Sequence, residues 1–241
     1  MSVRVTFLGS GNAFAAGGRA HACILIEHDG GTLLLDCGGA SLPAITRRAD
    51  PGRIDAIAVT HLHGDHFGGI PFLMDEQRWN GRTRPLAIGG PPSLRRRLDQ
   101  VAAGFGMDFT DLRFEWQVVV LGAEPAMLAG AGVTAHPVRH SSDAEPHGLR
   151  VRAGGKLIAY SGDATWTKDL VDLADGADLF ISECTWFSKR DPVHLNAMDL
   201  EEHGKDLRAR RVVLTHLGAE ALAHRAELPY EAADDGTVLE L

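Results

Sequence analysis

Apolar and polar residues alternate at the start of the chain, where the segment Met1–Leu8 has the period of a β-strand. Short apolar segments separated by glycine turns continue through the first half and predict further strands. Longer segments between them predict helices, one of which has Pro92 at a favoured first position. The expected strands are Val3–Leu8, Ala22–Glu27, Thr32–Asp36, Ile54–Thr60 and Leu86–Ile88, and the expected helices are Ser41–Arg48, Gly69–Trp79 and Pro92–Ala103.

The second half of the chain has the same pattern. Its expected strands are Gln117–Leu121, Gly132–Pro137, Leu149–Arg152, Leu157–Ser161, Leu179–Ser182 and Arg211–Thr215, and its expected helices are Lys168–Ala174 and Met198–Arg208. Many strands with helices in both halves predict an α/β protein in which two sheets pack face to face with helices outside, a four-layer αββα sandwich. No linker, low-complexity tract or clear repeat divides the sequence, so residues 1–241 are expected to form one domain.

Composition narrows the class of function. The net charge is −8, from 24 basic and 32 acidic residues, whereas a protein that grips a long phosphate backbone usually has a basic face. The three cysteines are widely spaced and form no CxxC pair, which argues against a disulfide framework or a structural zinc knuckle. No apolar run reaches the roughly 18 residues of a membrane span, and the alternating N-terminus is unlike a signal peptide. The expected location is the cytoplasm, with no membrane partner.

The strongest chemical signal is a histidine cluster after an apolar strand. His61, His63, Asp65 and His66 follow one another in the order HxHxDH. Crowded imidazoles repel one another when charged and are costly to desolvate. A divalent cation relieves both penalties, because neutral imidazole and carboxylate are preferred zinc ligands. The alternative is a loop of solvated surface histidines. A metal site is favoured over it because so many ligand-type residues follow one apolar strand at such close spacing.

Two ions would need more ligands than this segment offers. His140, Asp163 and His216 each stand just past the end of a predicted strand, where loops gather and functional residues accumulate. Asp36 and Glu183 also end strands and are expected to hydrogen-bond the ligand imidazoles, the alternative being turn residues that cap a strand. The sequence therefore predicts a two-metal site assembled from distant segments.

This combination of residues resembles the metallo-β-lactamase-fold superfamily of hydrolases over essentially the whole chain. The ligand sets that the resemblance implies are His61, His63 and His140 for the first metal, Asp65, His66 and His216 for the second, and Asp163 as the bridge. Aspartate at position 163 is unlike the cysteine of the zinc β-lactamases, and histidine at position 63 is unlike the glutamate of the flavodiiron reductases. Both features favour the hydrolytic branch with two divalent ions, zinc being expected and manganese or iron being alternatives.

Within that superfamily the chain is most similar to ribonuclease Z. The opening segment Phe7–Ala13 resembles that family's LGxGxA, and Ser182–Thr185 followed by His194 fits a histidine that takes part in cleavage there. Two features differ from that family. Only residues 141–162 separate the ligands His140 and Asp163, which leaves no room for the long arm that holds tRNA, and Leu-Asn follows His194 where the family usually has Ser-Thr. The resemblance thus implies a ribonuclease Z-like enzyme without the tRNA-binding arm.

The expected function is a dinuclear zinc-dependent phosphodiesterase that cleaves a small or nucleotide phosphodiester through a metal-bridging hydroxide. Asp65 is the candidate to orient that hydroxide and accept its proton, and His194 is the candidate to protonate the leaving oxygen or stabilise its charge. A lactone, thioester or amide hydrolase on the same site is one alternative, and a non-catalytic metal-dependent ligand-binding protein is another. A tRNA substrate is doubtful, and a homodimer is the candidate assembly.

Overall fold

The structure, a computed structural model that describes residues 2–241, contains two seven-stranded sheets. Met1, where the predicted alternating segment begins, lies outside the described residues. The strands are β1 (Arg4–Gly9), β2 (Cys23–His28), β3 (Gly31–Leu35), β4 (Ala56–Ala58), β5 (Leu86–Gly90), β6 (Trp116–Val120), β7 (Ala126–Leu128), β8 (Ala131–Pro137), β9 (His147–Ala153), β10 (Lys156–Tyr160), β11 (Leu179–Glu183), β12 (Val212–Thr215), β13 (Glu231–Ala232) and β14 (Val238–Glu240). The α-helices are α1 (Ser41–Arg48), α2 (Gly64–Phe67), α3 (Ile70–Trp79), α4 (Leu94–Gly104), α5 (Lys168–Ala174), α6 (Ala197–His203) and α7 (Ala219–Ala223).

Each sheet is mixed, with antiparallel strands on one side and parallel strands on the other. The first has the order β14-β1-β2-β3-β4-β5-β6, in which the pairs from β3 to β6 are parallel. The second has the order β13-β12-β11-β10-β9-β8-β7, in which the pairs from β10 to β13 are parallel. Because the carboxyl ends of parallel strands meet at one edge of a sheet, each half of the chain provides one such edge for functional residues.

The alternation of side chains along β1 shows how the four layers are separated. Val5 and Phe7 belong to the core between the two sheets, together with Tyr160 and Ile181 of the second sheet. Leu8 points the other way, into the core that the first sheet forms with α1, α3 and α4. A third core lies between the second sheet and α5, α6 and α7. The predicted αββα sandwich is confirmed.

Most predicted elements are present, and the differences occur at their ends. The helices Ser41–Arg48 and Lys168–Ala174 begin and end where the sequence predicts. The helix predicted from Pro92 begins at Leu94, whose N–H closes a turn by donating to the carbonyl of Pro91 at 3.0 Å. The helix predicted over Met198–Arg208 ends at His203, and a 3-10 turn over residues 204–206 follows it.

The strand predicted over Ile54–Thr60 is paired only at Ala56–Ala58. The N–H of Thr60 turns away from the ladder and donates to the carboxylate of Asp36 at 2.8 Å. The short elements α2, α7, β7, β13 and β14 are not predicted by the residue pattern, because they contain too few residues for a clear period. Among residues 2–241, no helix is both long enough and apolar enough to pass through a bilayer.

Candidate metal centre

Three histidine rings converge beyond β4 and β8 to form the first group of possible ligands. His61 Nε2 and His140 Nε2 each lie 3.1 Å from His63 Nδ1. Asp163 Oδ2 completes the group at 3.8 Å from His61 Nε2 and 4.0 Å from His140 Nε2. Ligand atoms at bonds of about 2.0–2.1 Å around a tetrahedral zinc ion stand roughly 3.3 Å apart, so these spacings suit one ion.

A second group of four atoms lies beside the first. His66 Nε2 is 3.4 Å from Asp65 Oδ2 and 3.2 Å from Asp163 Oδ1. His216 Nε2 is 3.3 Å from the same Asp65 oxygen and 3.4 Å from the same Asp163 oxygen. All four side chains are buried. The two carboxylate oxygens of Asp163 therefore face different groups, which is the arrangement that a bridging ligand requires.

The turn that presents Asp163 depends on the glycine before it. Gly162 has a φ of 56°, and a Cβ placed on it would lie 2.8 Å from the Cβ of Thr60. Asp36 and His216 have φ values of 57° and 59°, in a region that costs non-glycine residues roughly 1–2 kcal/mol. Strained backbone of this kind gathers at functional sites, where the surrounding contacts hold it.

Two buried polar atoms in the second group have no hydrogen-bond partner among residues 2–241, which shows whether a cation would fit there. His66 Nε2 and Asp163 Oδ1 make no hydrogen bond within residues 2–241, although they lie 3.2 Å apart. The other ring nitrogen of His66, Nδ1, lies 2.7 Å from Asp36 Oδ2 and must donate to it, because a carboxylate only accepts. Unless Nε2 carries a second proton or binds a cation, its lone pair faces the lone pairs of the Asp65 and Asp163 carboxylates. A divalent cation between them removes this repulsion, so the residues fit a metal.

The charges around the two groups also suit bound cations. Burial lowers the pKa of His66, but Asp163, Asp36 and Asp65 outweigh it and raise that pKa well above the usual value. Burial raises the pKa of Asp163, but the His216 and His66 imidazoles hold it well below its usual range. Burial, assisted by His66, lowers the pKa of His61 and keeps that ring neutral, as a metal ligand requires.

Asp36 and Thr60 orient two of the imidazoles from behind. Thr60 Oγ1 donates to Asp36 Oδ2 at 2.9 Å, so its lone pairs are left to accept from His61 Nδ1 at 3.0 Å. His66 Nδ1 donates to the same Asp36 oxygen. In both rings Nδ1 carries the proton and Nε2 keeps the lone pair that faces the ligand group. The expected contact from Asp36 to a ligand imidazole is present.

Glu183 and Thr185 form a similar arrangement in the second sheet. Thr185 Oγ1 donates to Glu183 Oε2 at 2.6 Å and lies 3.0 Å from His216 Nδ1, from which it accepts. Glu183 Oε1 itself lies 2.9 Å from His194 Nδ1. The expected direct contact from Glu183 to a ligand imidazole is therefore wrong: this carboxylate reaches His216 only through the threonine hydroxyl. No role was predicted for either threonine: Thr60 lies next to His61, and Thr185 was named only as the end of the segment Ser182–Thr185.

His194 lies beside the two groups. Its Nδ1 is 3.9 Å from Asp163 Oδ2, and its ring stacks on that of His216 with centroids 5.8 Å apart. Burial lowers the pKa of His194, but the contact with Glu183 outweighs it and raises the pKa to about 9. Since Nδ1 faces Glu183, Nε2 is the nitrogen that is left for another partner.

A cavity of about 680 Å³ opens onto this assembly. His63, Asp65, Asp163, His194 and His216 line one part of it, and the rest is formed by residues from the loop after β1, the loop after β11 and the start of α7. All eight predicted site residues are thus brought together, and five of them border the space that a substrate would enter.

The sequence that forms this site matches a known protein family. Residues 3–231 match the family described as Anti-Pycsar protein Apyc1. The chain belongs to this family. Its relatives include the Mycobacterium leprae protein ML1173, which is 32% identical over 227 residues that cover 90% of this chain and 78% of ML1173.

The Apyc1-family chain is also similar to ribonuclease Z of Haloferax volcanii, with 28% identity over 304 positions that cover 100% of this chain and 96% of that enzyme. The alignment is longer than the 241-residue chain, so the enzyme has residues with no counterpart here. The metallo-β-lactamase-fold protein YhfI of Bacillus subtilis superposes with a TM-score of 0.83 at 22% identity, with all of both chains covered. The predicted ribonuclease Z-like branch of metallo-β-lactamase-fold hydrolases is confirmed, and its His/Asp clusters are suited to divalent metal.

Proposed function

We propose that this Apyc1-family chain is a dinuclear zinc-dependent phosphodiesterase that cleaves a small or nucleotide phosphodiester. The observation that carries the proposal is the shared carboxylate of Asp163, whose two oxygens face two separate groups of ligand atoms beside His194. The proposed ligands lie in the segments that follow β4, β8, β10 and β12, so both halves of the chain contribute to the site. We therefore also propose that the whole chain acts as one catalytic unit.

The residues proposed to hold the ions are His61, His63 and His140 for the first, Asp65, His66 and His216 for the second, and Asp163 for both. Two divalent ions held in this way supply Lewis acidity, which makes hydroxide available near neutral pH and offsets negative charge on phosphate oxygens. Zinc is proposed because histidine nitrogen and carboxylate oxygen are the donors.

Asp65 and His194 are the proposed catalytic residues. Asp65 contacts both His66 and His216 through Oδ2. Its Oδ1 makes no hydrogen bond among residues 2–241 and is proposed to orient the attacking water and take its proton. Glu183 holds the His194 ring by Nδ1, so that Nε2 is able to donate a proton to the leaving oxygen. Both side chains border the same cavity, as the two ends of a displacement reaction require.

The proposed substrate is small because the chain provides no arm for a large one. Residues 141–162 contain a 3-10 turn, β9 and the tightly connected β10, and these strands pair directly with each other. The net charge of −8 also disfavours a long polyanion. A nucleotide or another organic phosphodiester fits these limits better than tRNA does.

The experiment measures metal content and then the turnover of three substrates by the zinc-loaded protein: bis-p-nitrophenyl phosphate, a lactone and a β-lactam. We expect phosphodiester cleavage that is lost in His61→Ala and slowed in His194→Ala, by less than the roughly 10²–10⁴ of full general-acid catalysis because p-nitrophenolate leaves with little protonation. His194→Ala is expected to keep its two ions, which separates the catalytic role from metal binding.

His203→Ala is the matched control, because His203 stacks on Trp166 and belongs to none of the ligand groups. It should keep full activity. Robust lactone hydrolysis with an inert phosphodiester would instead establish acyl chemistry on the same metals. Stoichiometric metal without turnover of any ester would favour the non-catalytic alternative.

A further inference from the structure

One large apolar side chain at the mouth of the cavity has no packing role. Phe14 follows β1, lines the cavity together with His63 and Asp65, and is 89% exposed. A scattered exposed apolar residue needs no explanation, but one that borders a candidate active site offers a contact surface to the ligand. Phe14 is therefore distinct from Trp79, which is also exposed but does not line this cavity.

The turn that carries Phe14 is held firmly at its base and at its centre. Asp235 accepts hydrogen bonds from Ser10 N at 2.9 Å and Ala20 N at 2.8 Å, which closes the two ends of the loop. Asn12 Oδ1 accepts from the backbone N–H groups of Phe14 and Ala16, both at 3.2 Å. An exposed phenyl ring on a fixed turn is preorganised, so little is lost in ordering it when a ligand binds.

The other aromatic side chain of the cavity is less available. Lys189 Nζ lies 4.0 Å from the centroid of the Trp186 ring, so a cation already covers one face of the indole. Phe14 has no aromatic or cationic partner within the described part of the chain. Trp186 is also half-buried, so Phe14 is the more exposed of the two rings.

A polar group beside Phe14 distinguishes between possible ligands. Asn12 lines the cavity, and because its Oδ1 accepts from two N–H groups, its amide nitrogen is the outward donor. Within residues 2–241 that nitrogen makes no hydrogen bond. An alkyl chain would cover Phe14 and leave the amide unpaired, whereas a nucleobase offers both a π-face and acceptor atoms.

We propose that Phe14 is a specificity-determining residue on which the nucleobase of a nucleotide phosphodiester stacks. This inference rests on the proposed phosphodiesterase function and assigns a substrate contact to a residue outside the two ligand groups. Stacking of one base on an aromatic side chain is sequence-tolerant, so the platform selects nucleotides without selecting a particular base.

Two esters with the same leaving group test the proposal: thymidine 5′-(p-nitrophenyl phosphate) and methyl p-nitrophenyl phosphate. In Phe14→Ala, kcat/KM for the thymidine ester should fall by about tenfold, mainly through KM, and that for the methyl ester should change by less than about twofold. Phe14→Tyr should restore most of the loss. Phe105→Ala removes another exposed phenylalanine, on a different part of the surface, and should leave both values unchanged.

Equal losses on both esters, or no loss on the thymidine ester, would overturn the stacking role. Calorimetric binding of thymidine 5′-monophosphate, compared with inorganic phosphate, tests the same contact without turnover: Phe14→Ala should weaken only the former. A protein that turns over neither ester but shows this selective binding would contradict the phosphodiesterase proposal and keep the platform. Loss of binding to both ligands would contradict the platform.

Discussion

Asp36 Oδ2 lies 2.7 Å from His66 Nδ1, and both side chains are fully buried. The same carboxylate accepts from the backbone N–H and the hydroxyl of Thr60, and Thr60 in turn accepts from His61. One carboxylate thus sets the orientation of an imidazole in each of the two ligand groups. Residues that hydrogen-bond metal-binding histidines in this way commonly change metal affinity by about 10–100-fold when they are replaced.

Replacement of Asp36 by asparagine should weaken metal binding more than it weakens folding. Asparagine has the same volume as aspartate. Its amide faces the N–H of His66 Nδ1 either with an NH₂ group, which cannot accept, or with an uncharged oxygen, which accepts more weakly than a carboxylate. We expect the affinity for zinc to fall by about 10–100-fold, measured by competition with a chromogenic chelator. Asp99→Asn, which changes an exposed carboxylate on α4, is the control. An unchanged affinity in Asp36→Asn would contradict this role.

Thr60→Val isolates the hydroxyl relay between His61 and Asp36. Valine has nearly the same shape but cannot accept from His61 Nδ1, so the ring is free to change its tautomer or rotate. We expect roughly tenfold weaker zinc affinity, and Thr60→Ser should recover most of it. Thr110→Val, in an exposed loop, should have no effect on zinc affinity. If serine and valine behave alike, the hydroxyl does not orient the metal ligand.

Removal of metal should lower the melting temperature. A ligand at about 1,000 times its Kd stabilises the folded state by about 4 kcal/mol, which corresponds to roughly 10 °C in a chain of this length. Differential scanning calorimetry with excess zinc and after dialysis against a chelator measures the difference. His216→Ala lacks one ligand of the second group and should show a smaller response. Equal melting temperatures with and without zinc would argue against metal binding by these residues.

The cysteines should be unreactive in the folded protein. Burial, with a smaller contribution from Asp36, raises the pKa of Cys37 to about 12, and burial also raises the pKa values of Cys23 and Cys184. All three are free and buried, so the reactive thiolate is scarce and shielded at neutral pH. A thiol reagent such as dithionitrobenzoate should label none of them in native buffer and all three in denaturant. Fast labelling of the native protein would show that a cysteine is accessible.

Much of this protein was predictable because its signals are local. Alternating and continuous apolar segments located most strands, since burial on one or both faces of a sheet leaves a direct trace in the residue pattern. The HxHxDH cluster was recognisable for a similar reason, because its four ligand-type side chains lie between positions 61 and 66. Elements of two or three paired residues, such as β13 and β7, left no such trace.

The tertiary structure decided what depends on distance between segments. No periodicity shows that Glu183 meets His194 rather than His216, because the hydroxyl of Thr185 lies between Glu183 and His216. The same holds for the division of Asp163 between two ligand groups, which follows from the turn at Gly162 packing on Thr60. The sequence by itself determined which side chains take part and the class of fold. Only the packing of the two sheets face to face determined their hydrogen-bond partners, because those contacts join separate segments of the chain, from 11 positions apart for Glu183 and His194 to 151 for Asp65 and His216.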